Sequence, residues 1–289
     1  MTDDSPTAPA PFSGERFQLL RSGIYDDAST RVFVDAELSF AMLDPIPAID
    51  YTRYVPRHVK LGLADAERRR AVIDDRLAKI CSWIPTDGTV LEVGAGDGSF
   101  CARLLQSRPQ LRLVAVEPDE STHAARTEVA GLVQYKSLAD ARSGGERATA
   151  ICMFHVFEHI HDPAHFLGEL FTVAAPGARL LIEIPSLDDP LLTVYRCQAY
   201  ENFYFQRQHP YVYTARSLRR ALEFGGCRVV DMLPYQRYGL ANHMTWLAHG
   251  KPGGDAAWAS RLADADPAYR CALERGGKTD TVIAIAERA

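Results

Sequence analysis

The sequence has no Cys-x-x-Cys pair, no long apolar run and no excess of basic residues. Its six cysteines, Cys81, Cys101, Cys152, Cys197, Cys227 and Cys271, are scattered singly. That scatter removes zinc ribbons and thioredoxin-like redox sites and predicts free thiols in a reducing cytoplasm. The apolar runs fall short of the roughly 20 residues needed to cross a bilayer, so no membrane partner is expected. Lys and Arg number 32 against 37 Asp and Glu, a net charge of −5 with no long block of either sign. Nucleic acid, whose phosphates select a basic surface, is therefore not an expected partner. The opening stretch, MTDDSPTAPAP, is polar and proline-rich and lacks the basic and apolar regions of a secretory signal. What is present is a globular composition, 47% hydrophobic and 24% charged over 289 residues. It suits one large domain with additions. One clustering asks for a reason: His155, His159, His161 and His165 lie within eleven residues of one another.

Along the chain, residues 1–14 read as a disordered tail and residues 15–86 as an amino-terminal cap. Within the cap, residues 31–33 are expected to be extended and residues 37–43 helical. Residues 65–83 show helical spacing in Leu63, Ala66, Arg70, Ile73, Leu77 and Ile80, with Asp65 as N-cap, and end at Pro85 and the Asp87-Gly88 turn. From there strands alternate with helices. Strands are predicted at 89–93, 112–116, 133–136, 148–155 and 177–184, and helices at 98–106, 119–129 and 163–174. This alternation indicates an α/β core of 87–289, a Rossmann-like parallel sheet covered by helices on both faces. A helix at 214–224 and strands at 227–233 and 279–286 follow. Two long connections, 186–213 and 236–278, are too long to be structureless and are expected to fold locally as lids over a ligand site.

The sharpest feature is Leu91-Glu92-Val93-Gly94-Ala95-Gly96-Asp97-Gly98-Ser99. Its glycines permit a tight strand-to-helix turn with backbone close to a ligand. Glu92, at the strand end, would repel a pyrophosphate but suits an ammonium or sulfonium. Glu117, followed by Pro118, stands 21 residues after Gly96 at the end of the second strand, where an acid accepts hydrogen bonds from ribose hydroxyls. A dinucleotide dehydrogenase would prefer Gly or Ala where Ser99 stands, so a nicotinamide oxidoreductase is disfavoured by Glu92 and Ser99.

These residues resemble the class I S-adenosylmethionine-dependent methyltransferases, over roughly residues 89–233 and the closing strand. Glu92 through Gly98 match that family's acidic-glycine motif and Glu117 its ribose acid. His155-Val-Phe-Glu158-His159-Ile-His161-Asp162-Pro163 and Pro176-Gly177-Ala178 look like signatures of its small-molecule branch. The resemblance implies a seven-stranded sheet and S-adenosylmethionine as cofactor. It further implies that Glu92, Gly94, Ala95, Gly96, Asp97 and Gly98 hold the methionyl part, Glu117 with Pro118 the ribose, Ser137 and Leu138 the adenine edge, and Met153 to His155 the surroundings of the sulfonium. One departure is that Ala148-Thr149 stands where many relatives carry Phe-Asp.

His155-Val-Phe-Glu158-His159 spells H-x-x-E-H, a zinc-protease string that needs both histidines on one helical turn. His155 ends an apolar strand, so no metal is expected there. Gly276-Gly277-Lys278-Thr279 has Ala272 where a phosphate loop needs glycine and precedes a strand, so it reads as a turn. The aromatic connection suits an organic acceptor with ring faces and hydroxyls, although a packed lid would look the same. Tyr204, Gln208, Tyr211 and Tyr213 are its candidate acceptor residues, with Tyr54 and Arg57 closing from the cap. Residues 208–214 are similar to a block in methyltransferases of nucleotide-linked sugars. Carbon-methylating members carry Glu-His where this chain has Gln208-His209, and a paired-cysteine zinc module that it lacks. Both departures favour O-methylation of a sugar, sugar nucleotide or natural-product intermediate. N- or C-transfer and a non-catalytic cofactor-binding relative stand as alternatives. His209 is the first candidate base and His155 the second, because imidazole titrates near neutrality.

Overall fold

A computed structural model describes residues 17–37, 39–53, 66–254 and 256–289. The expected tail, the Asp65 cap, Tyr54 and Arg57 lie outside the described residues.

The chain opens on three antiparallel strands, β1 (Phe17–Ile24), β2 (Asp27–Asp35) and β3 (Phe40–Asp44). The helix expected over 37–43 is thus a strand. Phe40-Ala-Met-Leu-Asp44 is buried at every position, and a short run buried on both faces carries no periodicity to separate strand from helix. Asp35 sets the turn, accepting from the Ser39 N–H at 2.6 Å and the Ser39 hydroxyl at 2.5 Å. Helix α1 (Ala66–Ile80) follows as its spacing predicts.

The α/β core then runs β4 (Thr89–Val93), α2 (Ser99–Ser107), β5 (Arg112–Val116), α3 (His123–Thr127), β6 (Val133–Tyr135), α4 (Leu138–Ser143), β7 (Ala148–Phe154), α5 (Pro163–Val173) and β8 (Ala174–Pro185). The helix predicted over 119–129 is a 3-10 turn, Glu120–Thr122, running into the five-residue α3. There the side chain of buried Arg126 turns back to Gly96 O and Thr122 Oγ1, both at 2.5 Å, and ties the segment to the glycine turn. After β8 come α6 (Pro190–Thr193), α7 (Gln198–Tyr204), β9 (Tyr211–Tyr213), α8 (Ala215–Phe224) and β10 (Cys227–Tyr235). Helices α9 (Leu240–His249), α10 (Ala256–Leu262) and α11 (Asp266–Arg275) precede β11 (Thr281–Arg288). Both long connections are locally folded, as their length required. None of the described helices is long and apolar enough to cross a membrane.

The main sheet has seven strands in the order β10-β11-β8-β7-β4-β5-β6, with β11 antiparallel to both neighbours. The chain leaves β4 through β5 to β6, then returns to β7 on the other side of β4. That reversal opens a crevice at the carboxyl ends of β4 and β7, where open α/β sheets bind ligands. The second sheet, β1-β2-β3-β9, borrows β9 from the aromatic connection. Its Phe33, Phe40, Met42, Tyr211 and Tyr213 share one buried cluster with Leu91, Val93, Met153 and Ile182 of the main sheet.

Helix α1 is held to the core by charge as well as by Ile73 and Ile80. Buried Arg76 donates to both oxygens of Glu183, at 2.6 and 2.8 Å, and its guanidinium lies 4.3 Å from the centre of the Phe154 ring. Glu183 has no exposed surface. Removing one partner of such a pair leaves an uncompensated buried charge, so Arg76→Ala is expected to cost about 3–5 kcal/mol. Arg76→Met, which keeps much of the apolar stem and removes only the charge, is expected to lose nearly as much. Urea unfolding of wild type and the two variants measures it, and near wild-type stability of R76M would show that packing rather than charge holds α1.

Candidate active site

The turn between β4 and α2 sits at the crevice. Gly94 has φ 72° and Gly96 φ 54°, left-handed conformations that L side chains rarely adopt. A Cβ on Gly94 would also overlap Cγ2 of Val156, whereas around Gly96 a Cβ would meet nothing within 4 Å. Gly94 is therefore closed against the loop after β7, and Gly96 faces open space that a ligand can fill. Glu117 spans the turn: its Oε2 accepts from the Gly96 N–H at 2.8 Å and its Oε1 from the Asp119 N–H at 2.9 Å. Asp97 accepts from the Ser99 N–H and hydroxyl at 3.1 and 2.6 Å, just before α2, and pairs with Arg69. Ala95 and Gly98 are buried within the turn, and Pro118 is exposed beside Glu117.

Glu92 is the electrostatic anomaly of the turn. Burial pushes its pKa up to about 8, against the opposing effects of the Cys101 thiol, which donates to Oε2 at 3.1 Å, and of the Arg76 charge. At neutral pH this burial keeps the group largely protonated. A cationic ligand group placed beside it would favour the carboxylate.

Across the crevice, the segment after β7 gathers the histidines. His155 takes φ 58°, a conformation costing an L residue on the order of 1 kcal/mol, and donates its N–H to Glu183 O at 2.8 Å. Its Nδ1 lies 3.2 Å from Glu158 Oε1 and its Nε2 3.1 Å from Glu183 Oε1, with Arg237 also on Nε2. Both ring nitrogens are therefore engaged. Burial alone would raise the Glu183 pKa, but Arg76 and then His155 outweigh it and hold the carboxyl well below the usual range. Glu158 is likewise fully buried, and His155, His159 and His209 together overcome its desolvation and lower its pKa. His159 and His209 each place Nε2 at 4.0 Å from Glu158 Oε1, and their rings meet edge to face at 5.0 Å. His161 and His165 are exposed. The histidine cluster thus divides into an inner pair joined by His209 and an outer pair on the surface.

The remaining candidates fall in different surroundings. Ser137 caps α4, accepting from the Asp140 N–H at 3.1 Å, and Leu138 is buried in the core. Met153 is fully buried in β7. Tyr204 donates to Ser186 O at 2.7 Å and Tyr211 to His161 O at 3.1 Å, and both rings are buried. Tyr213 is fully buried, and its hydroxyl has no hydrogen-bond partner among the described residues. These tyrosines form the packed wall of the cap sheet. Gln208 is buried beside His209, and its Oε1 has no partner among the described residues. Arg76, Glu183 and Arg237 were not singled out from sequence, although an acid inside the apolar run Leu180-Leu-Ile-Glu183-Ile signals a buried partner.

A family model described as a methyltransferase domain matches residues 66–232, more than half of the chain. The chain belongs to that family. Its fold is that of the class I S-adenosylmethionine-dependent methyltransferases. A methyltransferase of this type from Archaeoglobus fulgidus superposes with TM-score 0.53 at 16% identity, over 81% of this chain and 100% of that one. A plantazolicin methyltransferase bound to S-adenosylhomocysteine superposes with TM-score 0.51 at 12% identity, over 80% and 89%. Among curated proteins, the chain is 33% identical over 136 residues to trans-aconitate 2-methyltransferase of Azoarcus sp. strain BH72, covering 45% of this chain and 51% of that protein. It is 30% identical over 130 residues to a probable S-adenosylmethionine-dependent methyltransferase of Mycolicibacterium smegmatis, covering 43% and 48%. The chain spans about half the length of these curated relatives. The site fits the family's cofactor: the space at Gly96, the Glu117 carboxylate and a buried acid that a cation would ionise are all present.

The shift on Glu92 has a definite sign. Its folded pKa of about 8 exceeds the ordinary 4.5, so the folded chain keeps a proton that the unfolded chain releases between those values. Stability from this group is complete below the lower value and is lost as pH rises through the upper. Glu92→Gln removes the titration, so the melting temperature of E92Q relative to wild type is expected to climb steadily from about pH 5 to about pH 9. A difference independent of pH would show that Glu92 is ionised in the empty protein.

Proposed function

We propose that this protein is an S-adenosylmethionine-dependent methyltransferase that methylates a hydroxyl of a small molecule, a sugar or natural-product intermediate. The observation that carries this reading is the glycine turn clasped by Glu117 at the sheet's reversal, facing imidazoles backed by the Glu158 carboxylate. Bound S-adenosylmethionine supplies a methyl group already activated on a sulfonium. The protein's part is to align the acceptor oxygen in line at ~3 Å, exclude water and take one proton. Glu92 and Gly94 to Gly98 hold the methionyl part, Glu92 ionising beside its ammonium. Glu117 accepts from the ribose hydroxyls. Ser137 and Leu138 border the adenine through their backbone, and Met153 to His155 border the sulfonium. Gln208 borders the acceptor, with Tyr204, Tyr211 and Tyr213 as the wall behind.

His209 is the proton acceptor in this scheme. Its ring retains some exposure, 14%, and Glu158 lies near enough to stabilise the imidazolium. His155 is the weaker candidate because Glu158, Glu183 and Arg237 occupy its ring. A second reading has one observation in its favour. Arg237 carries a buried Nε with no hydrogen-bond partner among the described residues, which suits a carboxylate acceptor and accords with the name of the Azoarcus relative.

S-adenosylhomocysteine is expected to raise the melting temperature while NAD does not, and Glu117→Ala to abolish the rise. The reverse ligand preference would sink the assignment. Labelled methyl transfer into a panel of sugar nucleotides, phenols and organic acids, read by product mass, identifies the acceptor. With that acceptor, His209→Ala is expected to lower kcat by about 10²-fold, with affinity for S-adenosylhomocysteine unchanged. An undiminished kcat removes His209 as the base.

A further inference from the structure

Methyl transfer leaves one buried atom without a task. Glu158 has no exposed surface, and its Oε2 has no hydrogen-bond partner among the described residues. A carboxylate oxygen withdrawn from water is costly unless it is paired or coordinates a metal. The other oxygen, Oε1, meets His155 Nδ1 at 3.2 Å and lies 4.0 Å from Nε2 of both His159 and His209. Glu158, His159 and His209 each offer one atom such that all lie within 4.8 Å of one another. An ion with tetrahedral bonds of 2.0–2.2 Å sets its donors about 3.4 Å apart, so modest side-chain rotation would close the set.

We propose that Glu158, His159 and His209 form a binding site for a divalent transition-metal ion. Two imidazole nitrogens and one carboxylate oxygen suit zinc, cobalt, nickel or iron, whereas magnesium and calcium select oxygen donors. Three protein ligands leave a coordination position for water or an acceptor oxygen. The surroundings supply what ligating imidazoles need. His159 Nδ1 lies 3.1 Å from the Tyr51 hydroxyl, an outer contact that fixes ring orientation and leaves Nε2 toward Glu158. The Gln206 amide lies 3.2 and 3.1 Å from the two ring nitrogens of His209 and must turn aside from one of them.

The two segments that carry the ligands are locked together. Tyr211 donates to His161 O at 3.1 Å, and the Phe157 and Tyr213 rings are 6.0 Å apart. His155 is not a ligand, because Arg237 stands on its Nε2 and repels a cation there. It serves instead as the outer partner of Glu158. The expectation of no metal weighed His155 with His159. The proposed set takes His209, 50 residues after His159, in place of His155.

This inference does not depend on the proposed reaction, although an ion bound at His209 would prevent it from taking a proton. The test uses the full chain, stripped with chelator and dialysed against Co²⁺ or Zn²⁺ without donor or acceptor. About one equivalent per chain is expected by elemental analysis, with a visible Co²⁺ spectrum showing nitrogen ligation. His159→Ala and His209→Ala are each expected to weaken binding by at least about tenfold, while His165→Ala, on the exposed side, leaves it unchanged. If either alanine variant fails to fold, His209→Gln at the partly exposed position, checked by its S-adenosylhomocysteine melting shift, decides in its place. No stoichiometric ion on the wild type, or full retention in the His159 and His209 variants, overturns the site. Neither result touches the melting shift with S-adenosylhomocysteine, so failure of the metal and failure of the methyltransferase reading are told apart.

Discussion

Glu183 stands in an apolar strand with no exposed surface, and its charge persists only because groups from separate parts of the chain converge on it. Arg76 reaches it from α1, His155 from the end of β7, and Arg237 from the segment after β10, at 4.0 Å. A buried carboxylate with one partner would be a weak source of stability, since desolvation offsets most of the attraction. With partners from three segments it acts instead as a geometric constraint. The pose of His155, including its left-handed backbone, follows from that constraint, and through His155 Nδ1 so does the orientation of Glu158. The far end of the active crevice is therefore set from within the sheet.

The near end uses the opposite electrostatics. Glu92 is buried with only a thiol bonded to it and the more distant charge of Arg76, so burial wins and the group is held largely neutral. Glu117, 21 residues after Gly96, is half-buried and takes two backbone N–H groups. The two acids, matched to separate motifs, thus sit in opposite electrostatic surroundings. Glu117 fixes the turn whether or not a ligand is present, while Glu92 stores an unfavourable burial that a cationic ligand relieves. Differential ionisation of this kind couples binding to proton release without requiring any movement of the backbone.

Much of the crevice was legible in the sequence because it depends on local chemistry. The glycines, Glu92 and Glu117 announce themselves by spacing, and the alternation of apolar strands with amphipathic helices predicts the sheet. The cap was misread where local signals fail. Phe40 to Asp44 is buried on both faces and so lacks the alternation that marks a strand, and its partner β9 lies 167 residues further on, from Asp44 to Tyr211. The aromatic connection is ambiguous for another reason. The Tyr204 and Tyr211 hydroxyls bond nearby carbonyls, and a tyrosine held that way serves a core as well as it serves a pocket, so composition does not separate the two. The meeting of His159 with His209 is a tertiary fact, invisible to any motif confined to residues 155–165.

The borrowed strand also explains why the cap and the reaction site are inseparable. His209 lies two residues before β9, and β9 is fixed between β3 of the cap and the loop that carries Glu158. Shifting the cap sheet by one residue of register would turn Tyr211 and Tyr213 to the opposite face, because strand side chains alternate. It would also carry His209 away from Glu158. The aromatic packing of Phe40 against Tyr211 and Tyr213, at 5.7 and 5.2 Å, opposes that slip and holds the imidazole over the crevice. The cap sheet and the main sheet therefore act as one structural unit here: the main sheet carries the glycine turn, and the small sheet fixes where His209 stands relative to Glu158.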